Sequence, residues 1–178
     1  MSGAIRQRIE ADYITYKTKL GIVIFGSYEP AAELTRLQTL KDYLISCGYA
    51  NTTLVRDYPD DIIPPAITNT TERVYAKSIH LCKISHCNFV VATHDGRGRG
   101  WINELCFCCR DLHDGVAKTV VFDEMRSSQS ALGTVNLGMV SLTGMRLEQF
   151  SNDDELKKAG ESAALKHVIR LLDILSSS

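Results

Sequence analysis

The stretch that most constrains this chain is an apolar strand that breaks into a glycine-rich loop and restarts as a helix. Residues 89–92 (Phe-Val-Val-Ala) are continuously apolar, which is typical of a strand covered on both faces of a parallel sheet. Loop 93–100 follows, and a helical pattern resumes at Trp101. The pattern predicts an α/β fold with a functional loop at the carboxyl end of this strand.

That loop carries the residues with the strongest chemical character. Its glycines, Gly96, Gly98 and Gly100, let the backbone expose N–H groups to an anion or a sugar. Guanidinium groups match phosphate oxygens, so the loop's arginines predict phosphate binding. The charged and titratable side chains of the loop are His94, Asp95, Arg97 and Arg99.

Glu104 is predicted in the first turn of the helix after the loop. The positive end of the helix dipole favours an ionised carboxylate there. A charged carboxylate beside a polar, cationic loop suits a nucleophile or an electrostatic stabiliser of a cationic transition state. The same position is equally ordinary for a surface glutamate that complements a helix dipole.

Length and charge limit the classes of protein to consider. With 178 residues, 44% of them hydrophobic, the chain can bury one core, and we predict an N-terminal arm or helix over 1–19 and a single α/β domain over 20–178. The net charge of −1 gives no general attraction to nucleic acid or to anionic membranes. No apolar run or leader pattern suggests membrane insertion or secretion, so we expect a cytoplasmic protein with neither nucleic-acid nor membrane partners.

Six cysteines raise the question of a metal site. Cys106 and Cys109 form a C-x-x-C pair, but both fall on one predicted helix and no second pair accompanies them. Their helical spacing with apolar neighbours predicts small core residues instead. We therefore predict no metal, with zinc held by Cys82, Cys87 and the Cys106 region as the alternative.

The remaining chain alternates strands with helices. Strand patterns precede and follow the central strand, at 20–25, 52–55, 118–122 and 137–142, and helical patterns cover 31–46, 71–83, 101–111 and 153–172. Polar segment 124–132 is expected to be a mobile linker. The alternation predicts a flavodoxin-like three-layer α/β/α fold with a five-stranded parallel sheet in the order 2-1-3-4-5.

In such a sheet, ligands bind at the carboxyl ends of strands 1 and 3. Gly26, Ser27 and Tyr28 follow strand 1 and are predicted to adjoin the central loop, although they are also ordinary turn residues. Asp57 follows strand 2, where it is placed either to bind sugar hydroxyls or to lie in a solvated turn.

Asp95-Gly96 and residues 100–105 (Gly-Trp-Ile-Asn-Glu-Leu) resemble a motif of the nucleoside 2-deoxyribosyltransferase-like superfamily and of the related TIR domains. In the deoxyribosyltransferase-like proteins, Asp-Gly after the third strand precedes a Gly-Thr-x-x-Glu-Leu helix start whose glutamate is the nucleophile. Trp101 stands in the threonine's place, and TIR domains also begin this helix with a tryptophan. Cytokinin-activating phosphoribohydrolases share a similar spacing and a Gly-Ser after strand 1.

The resemblance implies cleavage or transfer of the N-glycosidic bond of a nucleoside, nucleotide or NAD through an oxocarbenium-like transition state. Glu104 would be the nucleophile, Asp95 would hold the sugar or the base, and His94 would protonate the leaving base. Cofactors are not expected, and relatives of this architecture are often oligomers, so a homo-oligomer is expected. The expected substrate contacts are Gly26, Ser27, Tyr28, Asp57, Gly96, Arg97, Gly98, Arg99, Gly100 and Trp101.

Two other functions share this architecture. One is a non-catalytic TIR-like or receiver-like module that binds a nucleotide or a protein. In the enzyme Glu104 and Asp95 should converge on one pocket, whereas in such a module they should point apart into solvent. The other is an FMN-binding flavodoxin, which is disfavoured because the loop after strand 1 lacks a Ser/Thr-rich phosphate cradle and only Trp101 suits flavin stacking.

Overall fold

A computed structural model describes residues 3–97 and 100–176 of the chain. In this part of the protein, helices flank a six-stranded sheet, and short 3₁₀ turns occur at Val55–Asp57 and Asp60–Ile62. The strands are β1 (Ile22–Phe25), β2 (Thr52–Leu54), β3 (Cys87–Ala92), β4 (Thr119–Arg126), β5 (Gln129–Ser130) and β6 (Arg146–Phe150). The helices are α1 (Gly3–Lys19), α2 (Ala31–Ser46), α3 (Thr70–Ile84), α4 (Trp101–Arg110), α5 (Gly115–Lys118), α6 (Gly133–Thr143) and α7 (Asp153–Ser176).

The parallel strands lie in the order β2-β1-β3-β4-β6, and β5 pairs antiparallel with the end of β4. This confirms the predicted flavodoxin-like three-layer α/β/α fold and the order 2-1-3-4-5 of its parallel strands. The carboxyl ends of β1 and β3 are neighbours, because Phe25 pairs with Val90 in the register.

Each face of the sheet is covered by its own apolar layer. Successive strand residues point to opposite faces, so Ile24 and Phe89 lie under α2 and α7, while Phe25 and Val90 lie under α3, α4 and α6. Burial on both faces explains why β3 is apolar along most of its length. Helix α1 packs on α7, and among the described residues no helix is both long and apolar enough to cross a membrane.

The prediction of a fifth strand at 137–142 is wrong, because these residues lie in α6. A short apolar run does not distinguish a strand from a helix. The burial of Val140 and the exposure of Val135 and Leu142 follow the two sides of a helix, which ends at Gly144 in the left-handed region. The last parallel strand is β6, whose polar sequence suits the edge of a sheet.

The prediction of a mobile linker at 124–132 is also wrong. Strand β4 continues to Arg126 and returns as β5 through a two-residue turn. Ser127 and Ser128 both have positive φ angles, 48° and 66°, as the tight hairpin turn requires. Serine is not the usual residue at these positions, so the hairpin has no clear signature in the sequence.

The contact between α4 and α5 provides a test of this packing. A Cβ added at Gly115 would lie 2.0 Å from the Cys108 carbonyl oxygen, whereas a Cβ at Gly138 would meet nothing within 4 Å. We expect Gly115→Ala to lower the free energy of unfolding by about 1–3 kcal/mol or more through overpacking. Gly138→Ala should raise it by about 0.5–1 kcal/mol, because alanine is the better helix former. Urea unfolding measures both, and similar effects of the two substitutions would contradict the described packing.

Candidate functional site

Hydrogen bonds join the loop after β1 to the loop after β3. The Arg97 N–H donates to the Glu29 carbonyl oxygen at 2.7 Å, and these two residues form an isolated antiparallel bridge. The Ser27 hydroxyl contacts the carbonyl oxygens of Arg97 and Glu29. The two loops that the sequence predicts to be neighbours are therefore held together directly.

Gly96 allows this close approach. A Cβ at this position would lie 2.8 Å from both the Ser27 Cβ and the Thr93 Oγ1, closer than packed atoms allow. The glycine therefore packs the two loops against each other, and it does not line the cleft described next.

A cleft of about 290 Å³ opens beside the joined loops. It lies at the carboxyl ends of β1 and β3, the position where parallel α/β sheets bind ligands. Phe25, Val55 and Val74 form an apolar side. The other described residues that line it are Gly26, Ser27, Tyr28, Glu29, Ser78, Arg97, Gly100 and Glu104.

Glu104 is the chemically distinctive side chain of the cleft. It lies in the first turn of α4, is only 9% exposed, and its Oε2 has no hydrogen-bond partner among the described residues. Burial raises the pKa of Glu104, although its own backbone N–H and the Ser78 hydroxyl act in the opposite direction. Desolvation therefore opposes the stabilisation of the ionised carboxylate that the dipole of α4 is expected to give.

Tyr28 supplies a hydroxyl to the same cleft. Its oxygen accepts a hydrogen bond from the Arg56 N–H at 3.3 Å. Burial raises the pKa of Tyr28 to about 12, and the negative charges of Asp57 and Glu104 add to this rise. The hydroxyl therefore keeps its proton at neutral pH and can donate a hydrogen bond to a ligand.

Asp95 and His94 lie outside the cleft, towards the β4–β5 hairpin. The Asp95 carboxylate accepts two hydrogen bonds from the Arg126 guanidinium, which lowers the pKa of Asp95. The His94 Nε2 is 3.1 Å from the Gln129 carbonyl oxygen, and the His94 N–H donates to Glu124 Oε2 at 2.8 Å. Glu104 and Asp95 therefore do not converge on this cleft.

Of the other predicted substrate contacts, some line the cleft and some lie elsewhere. Gly26, Ser27, Tyr28, Arg97 and Gly100 line the cleft together with Glu104. Asp57 instead pairs with Lys41 at 2.7 Å and lines no part of it. Trp101 is 1% exposed and belongs to the apolar layer beneath α4. The predictions for Gly98 and Arg99 lie outside the described residues.

Sequence reasoning missed the contribution of α3. Val74 and Ser78 lie four residues apart on this helix, so they share one face, and both line the cleft. The sequence signal for this contribution was Ser78, a small polar residue in the apolar stripe that continues to Leu81 and Cys82. That pattern did not reveal that the helix packs opposite α4.

The cysteines are free thiols. Cys108 is fully buried in the core, whereas Cys106 and Cys109 are half-buried. Cys109 still packs against the core as predicted, but the fully buried cysteine of α4 is Cys108. Cys82 and Cys87 are buried in different apolar layers. Among the described residues, no three His, Cys, Asp or Glu side chains are grouped as metal ligands.

Comparison with models of known protein families gives no match to this chain, and a search of curated protein sequences gives none either.

The burial of Glu104 predicts an unusual effect of removing its charge. Because its pKa is raised in the folded protein, the ionised form destabilises the fold above that pKa, and the penalty decreases as the pH falls below it. We expect Glu104→Gln to raise the free energy of unfolding near neutral pH. The gain should shrink towards the ordinary glutamate pKa of about 4.3.

Glu72 provides the matched control, because it lies in the first turn of α3 but is exposed. Glu72→Gln should lower the free energy of unfolding by about 0.3–1 kcal/mol through the lost dipole interaction. Urea unfolding over a range of pH measures both. A stability loss in Glu104→Gln that equals that of Glu72→Gln would contradict the dominance of desolvation.

Proposed function

We propose that the cleft binds a nucleoside, nucleotide or nicotinamide dinucleotide and that Glu104 promotes cleavage or transfer of its N-glycosidic bond. The observation that carries this proposal is the Glu104 Oε2, a buried carboxylate oxygen without a partner among the described residues, in a residue that lines the cleft. Buried polar atoms are usually hydrogen-bonded, so one without a partner needs an explanation. A perturbed carboxylate in a cleft is also a physical indicator of a functional site.

The chemistry of glycosidic cleavage fits such a carboxylate. As the bond to the base breaks, positive charge develops on the sugar ring. A desolvated carboxylate interacts more strongly with that charge than a hydrated one, because the surroundings screen it less. Glu104 would stabilise the sugar cation or capture its anomeric carbon.

The remaining walls of the cleft support a nucleoside-type ligand. Phe25, Val55 and Val74 offer apolar surface to a base, and the Tyr28 hydroxyl offers a hydrogen-bond donor. Arg97 is an exposed cation in the lining and supplies a guanidinium for a 5′-phosphate or a pyrophosphate.

The position of His94 outside the cleft determines whether it can protonate the leaving base. No histidine is among the described residues that line the cleft, and Tyr28 is a weak acid because its pKa is about 12. A neutral purine or pyrimidine needs a proton to depart easily, whereas a positively charged pyridinium departs as a neutral ring without one. The arrangement therefore favours the nicotinamide bond of a dinucleotide over the bond of a neutral base.

A second candidate function is a non-catalytic nucleotide-binding module that uses the same cleft. It is favoured by the contacts of Asp95 with Arg126 and of His94 with Gln129. These contacts keep both predicted catalytic partners of Glu104 outside the cleft. Measurements of binding and of product release distinguish the two candidates.

The catalytic proposal is tested by chromatography of products after incubation with nucleosides, nucleoside monophosphates and NAD. We expect the parent protein to release free base and Glu104→Gln to lose at least about a hundredfold in rate, which corresponds to nearly 3 kcal/mol of transition-state stabilisation. Glu72→Gln is the control and should retain the parental rate. Binding without base release would favour the non-catalytic module, and neither binding nor release would overturn both functions.

The role of Arg97 is tested by calorimetric titration of Glu104→Gln with AMP, adenosine and NAD. Adding Arg97→Gln should weaken AMP and NAD binding by about tenfold or more and leave adenosine unchanged, because it removes a charge-assisted contact to phosphate. The control is Arg110→Gln, which removes a highly exposed arginine of α4 that pairs with Asp111. Equal affinity of the Arg97 and Arg110 variants for AMP would overturn the proposed phosphate contact.

A further inference from the structure

A second, larger cavity lies at the opposite, amino-terminal end of the strands. Its volume is about 570 Å³, and it lies between α5, the amino ends of β4 and β6, and the second half of α7. Ligand pockets commonly fall in this range of size. The proposed catalytic cleft lies at the carboxyl ends of the strands, so the two share no lining residue.

Three of the polar residues that line this cavity are cationic. Arg146 comes from the start of β6, and Lys166 and Arg170 come from α7. None of the described residues that line it is a carboxylate. Glu148, outside the lining, lies 2.7 Å from the Arg146 Nε and 4.0 Å from the Lys166 Nζ, so it offsets part of this charge.

Arg146 is incompletely satisfied by that partner. Glu148 Oε1 lies 2.6 Å from the Arg146 Nη2, but this buried nitrogen makes no aligned hydrogen bond to any described residue. The Arg170 Nη1 donates to the Ala117 carbonyl oxygen at 3.0 Å, which fixes this guanidinium at the cavity. Arg146 and Arg170 are thus both held at the cavity by contacts with the protein, and guanidinium groups are suited to bind anionic oxygens.

Part of the remaining lining is apolar. Val116 and Val120 form part of the wall beside the cations. A site with converging cations and an apolar wall suits an anion that carries a small carbon skeleton. Guanidinium groups in particular match the oxygens of a phosphate.

We propose that this cavity is a second binding site, specific for a small organic phosphate, in which Arg146, Lys166 and Arg170 hold the phosphate and the Val116–Val120 wall contacts the carbon skeleton. The site is independent of the proposed glycosidic activity, because it lies at the opposite end of the strands and shares no lining residue with the cleft.

His167 provides a reporter within the lining. Burial, together with the smaller effect of the neighbouring charges of Arg170 and Arg146, lowers the pKa of His167 to about 4. A bound phosphate places negative charge among these groups and favours the protonated imidazole. Binding should therefore raise the pKa of His167.

The experiment titrates the full chain with phenyl phosphate and with inorganic pyrophosphate at constant ionic strength, since salt screens exposed charges. Calorimetry measures affinity, and the imidazole NMR signal, assigned with His167→Gln, measures the pKa. We expect phenyl phosphate to bind with a dissociation constant below about 1 mM and Lys166→Gln/Arg170→Gln to weaken it by at least about tenfold. Both substituted residues are exposed, so the variant should fold.

Three comparisons make the result specific. Lys157→Gln/Lys158→Gln removes the same charge from the other half of α7 and should leave the affinity unchanged. Tighter binding of phenyl phosphate than of pyrophosphate would support the apolar wall. The proposal is overturned if neither compound binds, if both double variants weaken binding equally, or if the pKa of His167 does not change.

Discussion

The hydrogen bonds between the loops after β1 and β3 are the constraint on which the cleft depends. Parallel pairing brings the ends of the two strands together, but it does not fix the loops beyond them. The Glu29–Arg97 bridge and the Ser27 hydroxyl do so, and Gly96 allows the backbone to approach closely enough. Tyr28, Arg97 and the start of α4 then surround one cleft.

Glu104 shows two opposing electrostatic effects at one helix terminus. The first turn of α4 favours a negative charge, while burial disfavours it and is the largest cause of the raised pKa of Glu104. Such an arrangement costs stability unless a ligand satisfies it. This cost is the physical reason to associate Glu104 with function and not with folding.

Buried polar atoms without partners are distributed unevenly in the described residues. Thr93 Oγ1, Trp101 Nε1, Glu104 Oε2 and Asp123 Oδ2 all lie near the carboxyl ends of β3 and β4, and Arg146 Nη2 lies at the amino end of β6. These side-chain atoms therefore lie at the two ends of the strands. Both proposed sites lie at such an end, one with a buried carboxylate and one with a cluster of cations.

The sequence by itself determined the layers and the order of the sheet, because buried strands and amphipathic helices have local periods that can be counted. It also identified Glu104 and both loops of the cleft. It did not distinguish α6 from a strand, since a short apolar run suits either, and it gave no sign of β6, whose edge position requires little apolar character. Only the tertiary structure decided that Arg126 holds Asp95 at the hairpin, that Ser78 faces Glu104, and that three cations meet around His167. These relations join residues far apart in sequence, and they depend on how helices and loops pack, which no local period records.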